Sequence, residues 1–100
     1  MNKEQQIIHE WMAAHGWPYW TPHEMLARVT EEVGELARVV NHEYGPKKRK
    51  ESEDAEELEA ELGDILYALA CFANAHQINL ATALQKSHEK VITRDLTRFT

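Results

Sequence analysis

The sequence predicts an all-α fold, a four- to five-helix antiparallel bundle forming a single domain over residues 1–100, and three observations carry that expectation. Apolar residues recur at steps of three and four through most of the chain, and no stretch alternates as a strand would. Only four Gly and three Pro punctuate it, which favours a few long elements. One hundred residues, 43% of them hydrophobic, suffice for one core and no more.

Taken in order, the first helix is expected from about Asn2 to His15. Asn2 and Gln5 have capping-box spacing, Ile7, Ile8, Trp11 and Met12 share a face, and Gly16 stops the helix. An aromatic loop follows, Gly16-Trp17-Pro18-Tyr19-Trp20. The second helix starts with Thr21 as N-cap, Pro22 in the first turn and Glu24 closing the box, and it ends near Tyr44, before Gly45 and Pro46. Its apolar stripe is Met25, Val29, Val33, Leu36 and Val40. Lys47, Lys48, Arg49 and Lys50 form a solvated basic connector. A third helix runs from near Ser52 to about His76, with Leu58, Leu62, Ile65, Leu69 and Phe72 inward. Asn79 caps a fourth, from Leu80 to about Arg94.

Charge and composition narrow the function. The net charge of −6 argues against binding a nucleic acid polymer, where a basic face supplies affinity. The lone Cys71, inside an apolar run, reads as a small buried hydrophobe and excludes an internal disulfide framework. The N-terminus lacks a basic-then-apolar signal pattern, and no apolar stretch reaches the ~18 residues that span a bilayer. These features predict a soluble, cytoplasmic protein without a membrane partner. Wide apolar stripes on so short a chain further predict a homodimer or homotetramer.

The acidic residues are patterned. On a helical wheel with Val29 at zero, Glu32 lies about 60° from the apolar stripe, Glu35 about 120° and Glu31 about 160°. Glu32 and Glu35 therefore flank the stripe while Glu31 faces outward. On the third helix Glu61 and Asp64 flank the apolar side in the same way, with Glu57 one turn earlier. Two pairs of carboxylates on successive helices suit a hard, oxygen-loving cation, and no Cys or His pairing offers zinc spacing. This points to magnesium, with manganese as a substitute. The plainer reading is a solvated acidic face with Arg28 and Arg38 in ordinary helix-surface pairs.

Glu32-Val33-Gly34-Glu35 and Glu61-Leu62-Gly63-Asp64 resemble the paired acidic signature of the MazG-like, all-α NTP pyrophosphatase superfamily. The surrounding residues, Thr30 to Ala37 in the first case and Glu61 to Leu69 in the second, look like the same family, as do Ala73-Asn74 and Arg94-Asp95. The resemblance implies hydrolysis of a nucleoside triphosphate to monophosphate and pyrophosphate by a helical homo-oligomer. Carried onto this chain, it makes Glu32, Glu35, Glu61 and Asp64 the magnesium ligands, with Glu31 an adjacent acid able to orient water or a second ion.

Lys86, Lys90, Arg94 and Arg98 recur every fourth residue and form one basic stripe. Beside a carboxylate–metal site, Lys86, Lys90 and Arg94 are candidates to grip phosphate, and Trp17 and Trp20 are candidates to stack on a base. Two alternatives remain open at the level of sequence. One is a phosphoribosyl-ATP pyrophosphohydrolase of histidine biosynthesis; the other is a non-catalytic helical module using its acidic face for partners. No pattern in the sequence selects a base or a sugar, or housecleaning over control of nucleotide pools.

Overall fold

The computed structural model describes residues 2–44 and 51–99. They form four helices, α1 (Lys3–Ala14), α2 (Pro22–Tyr44), α3 (Glu51–Ala75) and α4 (Leu80–Phe99), with no strand among them. None of these helices is long and apolar enough to cross a membrane. The Lys47, Lys48, Arg49 and Lys50 connector, and the side chain of Arg98, lie outside the described residues.

Local sequence sets the helix ends. At α1, Asn2 Oδ1 accepts from the Gln5 backbone at 2.8 Å and Gln5 Oε1 accepts from the Asn2 backbone at 3.2 Å, so the capping box is complete. Its C-terminus closes with Gly16 in the left-handed region (φ +67), while Gly16 N donates to Ala13 O and Trp17 N to Met12 O. α3 ends through the same pair of bonds, Gln77 N to Asn74 O and Ile78 N to Ala73 O, but with Gln77 at φ +57. At α2, the Thr21 hydroxyl donates to Glu24 Oε1 at 2.7 Å, and this bond, with that from the Thr21 backbone, holds the Glu24 carboxyl below its usual pKa. Asn79 Oδ1 caps α4 by accepting from Thr82 N at 3.2 Å. α4 continues to Phe99 rather than stopping near Arg94. No Gly or Pro follows Arg94 to break it.

The chain divides into two compact units. The first comprises Met1–Pro18 and Ala73–Thr100 and centres on a buried polar junction. Gln5, 1% exposed, donates Nε2 to Asn74 Oδ1 (3.0 Å) and to Ile78 O (2.8 Å), and its Oε1 accepts from Leu80 N (2.8 Å). Asn74 Nδ2 returns a bond to Gln5 O at 3.0 Å. One glutamine thus ties α1 to the end of α3 and the start of α4, with the buried amides of both residues satisfied.

The second unit, Tyr19–Phe72, packs α2 against α3. The α2 residues turned inward are Met25, Val29, Glu32, Leu36 and Val39, with Val39 only 1% exposed. This corrects the expected stripe, because Val33 and Val40 lie on the exposed side with Leu26. The apolar arc of α2 is wider than one neighbouring helix covers, and burial follows the half that faces α3. On α3, Leu58, Ile65, Leu69 and Phe72 are half-buried as expected, Ala68 is buried, and Leu62 is exposed.

Candidate metal centre

The site lies in the second unit, where α2 contributes Glu32 and α3 contributes Glu61 and Asp64. Each offers a carboxylate oxygen, and the three oxygens lie within 4.8 Å of one another. The three-residue step of α3 puts Glu61 and Asp64 on adjacent turns of one face. Glu32 joins them because it occupies a slot of the buried α2 face, deeper than its flanking position on the wheel suggested.

Such crowding is electrostatically costly. Glu61 Oε2 is buried and has no hydrogen-bond partner. Desolvation pushes the Glu61 carboxyl above the usual carboxylate range, and the charges of Asp64, Glu32 and Glu35 push it further, against an opposing pull from Arg38. A like-charged, oxygen-only group that includes a carboxylate with an orphaned oxygen is what a hard divalent cation satisfies. The residues therefore fit the expected ion.

The remaining candidates fall in different places. Glu35 is not in the three-carboxylate group; its Oε2 instead accepts from Arg38, at 3.1 Å from Nε and 3.0 Å from Nη2. Its charge still reaches Glu61. Glu31 is exposed, on the outward side where the wheel placed it. Glu57, one turn before Glu61, is half-buried. Lys86, Lys90 and Arg94 are exposed on α4 in the first unit, with Arg94 Nε 3.6 Å from Asp95 Oδ1. Trp17 packs edge-on against Trp11 at 4.9 Å and tilts against His15 at 5.0 Å, remaining 53% exposed, and Trp20 is also exposed.

The helix-surface pairs expected of Arg28 and Arg38 both form: Arg28 Nε stands 3.0 Å from Glu32 Oε1 and Arg38 Nη2 3.0 Å from Glu35 Oε2, so Glu32 and Glu35 each carry an arginine of their own helix. The long-range bonds of Gln5 to Asn74, Ile78 and Leu80 had no pattern that could reveal them.

Comparison with known proteins bears directly on this geometry. A family model described as the MazG nucleotide pyrophosphohydrolase domain matches residues 20–99. The chain is 49% identical over 82 residues to the uncharacterized protein YpjD of Bacillus subtilis (strain 168), covering 82% of this chain and 74% of that one. It is 30% identical over 96 residues to YvdC of the same organism, covering 90% and 91%. The crystal structure of Bacillus subtilis YpjD superposes with a TM-score of 0.78 at 40% identity, covering 94% of each chain. That of the Bacillus-conserved MazG protein, described as a nucleotide pyrophosphohydrolase, gives 0.74 at 38% identity, covering 88% and 84%.

Proposed function

Since the chain belongs to the MazG nucleotide pyrophosphohydrolase family, we propose that it hydrolyses a nucleoside triphosphate to the monophosphate and pyrophosphate, with magnesium held by Glu32, Glu35, Glu61 and Asp64. The observation that carries this reading is the grouping of Glu32, Glu61 and Asp64, in which Glu61 also keeps a buried, unpartnered oxygen. Magnesium or manganese bound there would neutralise phosphate charge and make water a better nucleophile. The residues do the rest. Glu32, which is buried, and Glu61, which is half-buried, would hold their ligand oxygens in a partly water-excluded setting, and Asp64, which is exposed, would offer its oxygen from the solvent side. Glu31 is the acid left to orient water or a second ion. Lys86, Lys90 and Arg94 would hold phosphate oxygens and Trp17 and Trp20 the base, in a single domain assembled as a homodimer or homotetramer in the cytoplasm.

Product analysis tests the reading. Incubation with magnesium and a panel of canonical and modified NTPs and dNTPs should yield monophosphate and pyrophosphate in equal amounts. Release of diphosphate and orthophosphate, or no turnover of any nucleotide, would contradict it. The substrate preference within that panel would also distinguish housecleaning from pool control.

A further inference from the structure

Two guanidinium groups rest on the α2 carboxylates, and the mechanism above gives them no task. Arg28 contacts Glu32 through Nε at 3.0 Å, and Arg38 contacts Glu35 through Nε and Nη2 at 3.1 and 3.0 Å. Both arginine side chains are about half exposed, 52% and 54%, so each has a solvated path away from its partner. The consequences of the two pairs differ. Glu32 remains grouped with Glu61 and Asp64 despite Arg28, whereas Glu35, drawn to Arg38, does not join that group. In angle around α2, Arg28 falls between Glu32 and Glu35, one turn nearer the N-terminus, so it sits on the carboxylate side of the helix.

Resting on the reading that these carboxylates take a divalent ion, we propose that Arg28 and Arg38 are displaceable counter-cations of the site: each neutralises one α2 carboxylate, yields it to the divalent ion, and then binds the phosphates of the nucleotide. A divalent ion brings twice the charge of a guanidinium to the same oxygens. The planar fork of arginine fits phosphate oxygens as well as it fits a carboxylate. Ion pairing is conserved through the exchange, because each carboxylate passes from guanidinium to metal and each guanidinium from carboxylate to phosphate. The pairing of Arg38 also accounts for Glu35, a motif residue, standing apart from the other three.

The test turns on opposite signs. Protein freed of divalent ions by chelation, as wild type, Arg28→Gln and Arg38→Gln, is titrated calorimetrically with magnesium alone. It is then titrated with inorganic triphosphate at saturating magnesium. Removing a competing, partly exposed ion pair should tighten magnesium binding about two- to fivefold. Losing a charge-assisted phosphate contact should weaken triphosphate binding about tenfold or more. Misfolding cannot produce this pair of results, since it weakens both. Arginines that brace the carboxylates would, on removal, weaken magnesium binding, and that outcome overturns the proposal, as does unchanged binding of both ligands. If wild type binds no magnesium, the reading of the metal centre fails and takes the proposal with it. Normal wild-type binding with the wrong sign in the variants removes the arginine proposal alone.

Discussion

Among the described carboxylates, Glu61 is held above its ordinary pKa by desolvation and by its neighbours. Its Oε2 is buried without a partner, and its carboxyl is pushed up first by desolvation and then by Asp64, Glu32 and Glu35. A carboxyl whose folded pKa exceeds its unfolded one favours the folded state below the unfolded pKa, and that contribution is lost as pH rises through the folded value. At neutral pH and without divalent ions, Glu61 therefore destabilises the fold. Glu61→Gln in chelator should raise Tm at pH 7, and the gain should shrink as pH falls into the carboxylate range. Thermal melts across that range check this; a lower Tm at pH 7 would contradict it. Gln5 and Asn74 show the opposite solution to polar burial, since their amides at 1% and 3% exposure are mutually bonded.

Among the elements, helix starts were legible because capping depends on side chains a few residues apart. Asn2 with Gln5 and Thr21 with Glu24 form the expected boxes, and Asn79 caps α4. The far end of α4 was not legible, because the last residues carry no breaker and their helicity needs no signal of its own. The α2 face was read about one ninth of a turn off, roughly 40°. Leu26, Val33 and Val40 are as apolar as Val29 and Leu36, and only the position of α3 decides which half is covered. The acidic grouping on α3 was legible from its three-residue step, but the diversion of Glu35 to Arg38 is a choice of side-chain rotamer that spacing does not encode. The ends of α1 and α3 offer a comparison, since both close with the same two backbone bonds, one around Gly16 and one around Gln77 at φ +57. A non-glycine residue in that region costs about 1 kcal/mol. Gln77→Gly should therefore raise Tm by roughly 4–8 °C for a domain of this size. An unchanged or lower Tm in a melt would show that the Gln77 side chain contributes more than its backbone costs.

For the whole molecule, the small buried core poses the question of assembly. Among the described residues the buried hydrophobics are Met25, Val39, Ala68, Ala70 and Ala73, three of them alanines, whereas large apolar side chains such as Leu26, Val33, Leu62, Leu66, Leu84 and Leu96 are exposed. Leu26, Val33 and Val40 recur every seven residues along α2, the repeat that seats one helix against another. This supports the proposed homo-oligomer, and Val33→Lys, by placing a charge in that seam, should shift it toward monomer. Light scattering at micromolar concentration should report a dimer or tetramer for wild type; a monomer would mean that these side chains face water.

In the proposed function, Glu32, Glu61 and Asp64, joined by Glu35, would hold the ion on which hydrolysis depends. Asp64 tests it most directly, because its carboxylate is exposed and Asp64→Asn removes charge with almost no change in shape. The measurement is kcat/KM for magnesium-dependent pyrophosphate release by wild type and Asp64→Asn, with helicity followed by circular dichroism. We expect intact helices and a loss of about 100-fold or more, since a metal ligand stabilises the transition state by several kcal/mol. An Asp64→Asn variant that stays helical and turns over within about twofold of wild type would contradict it.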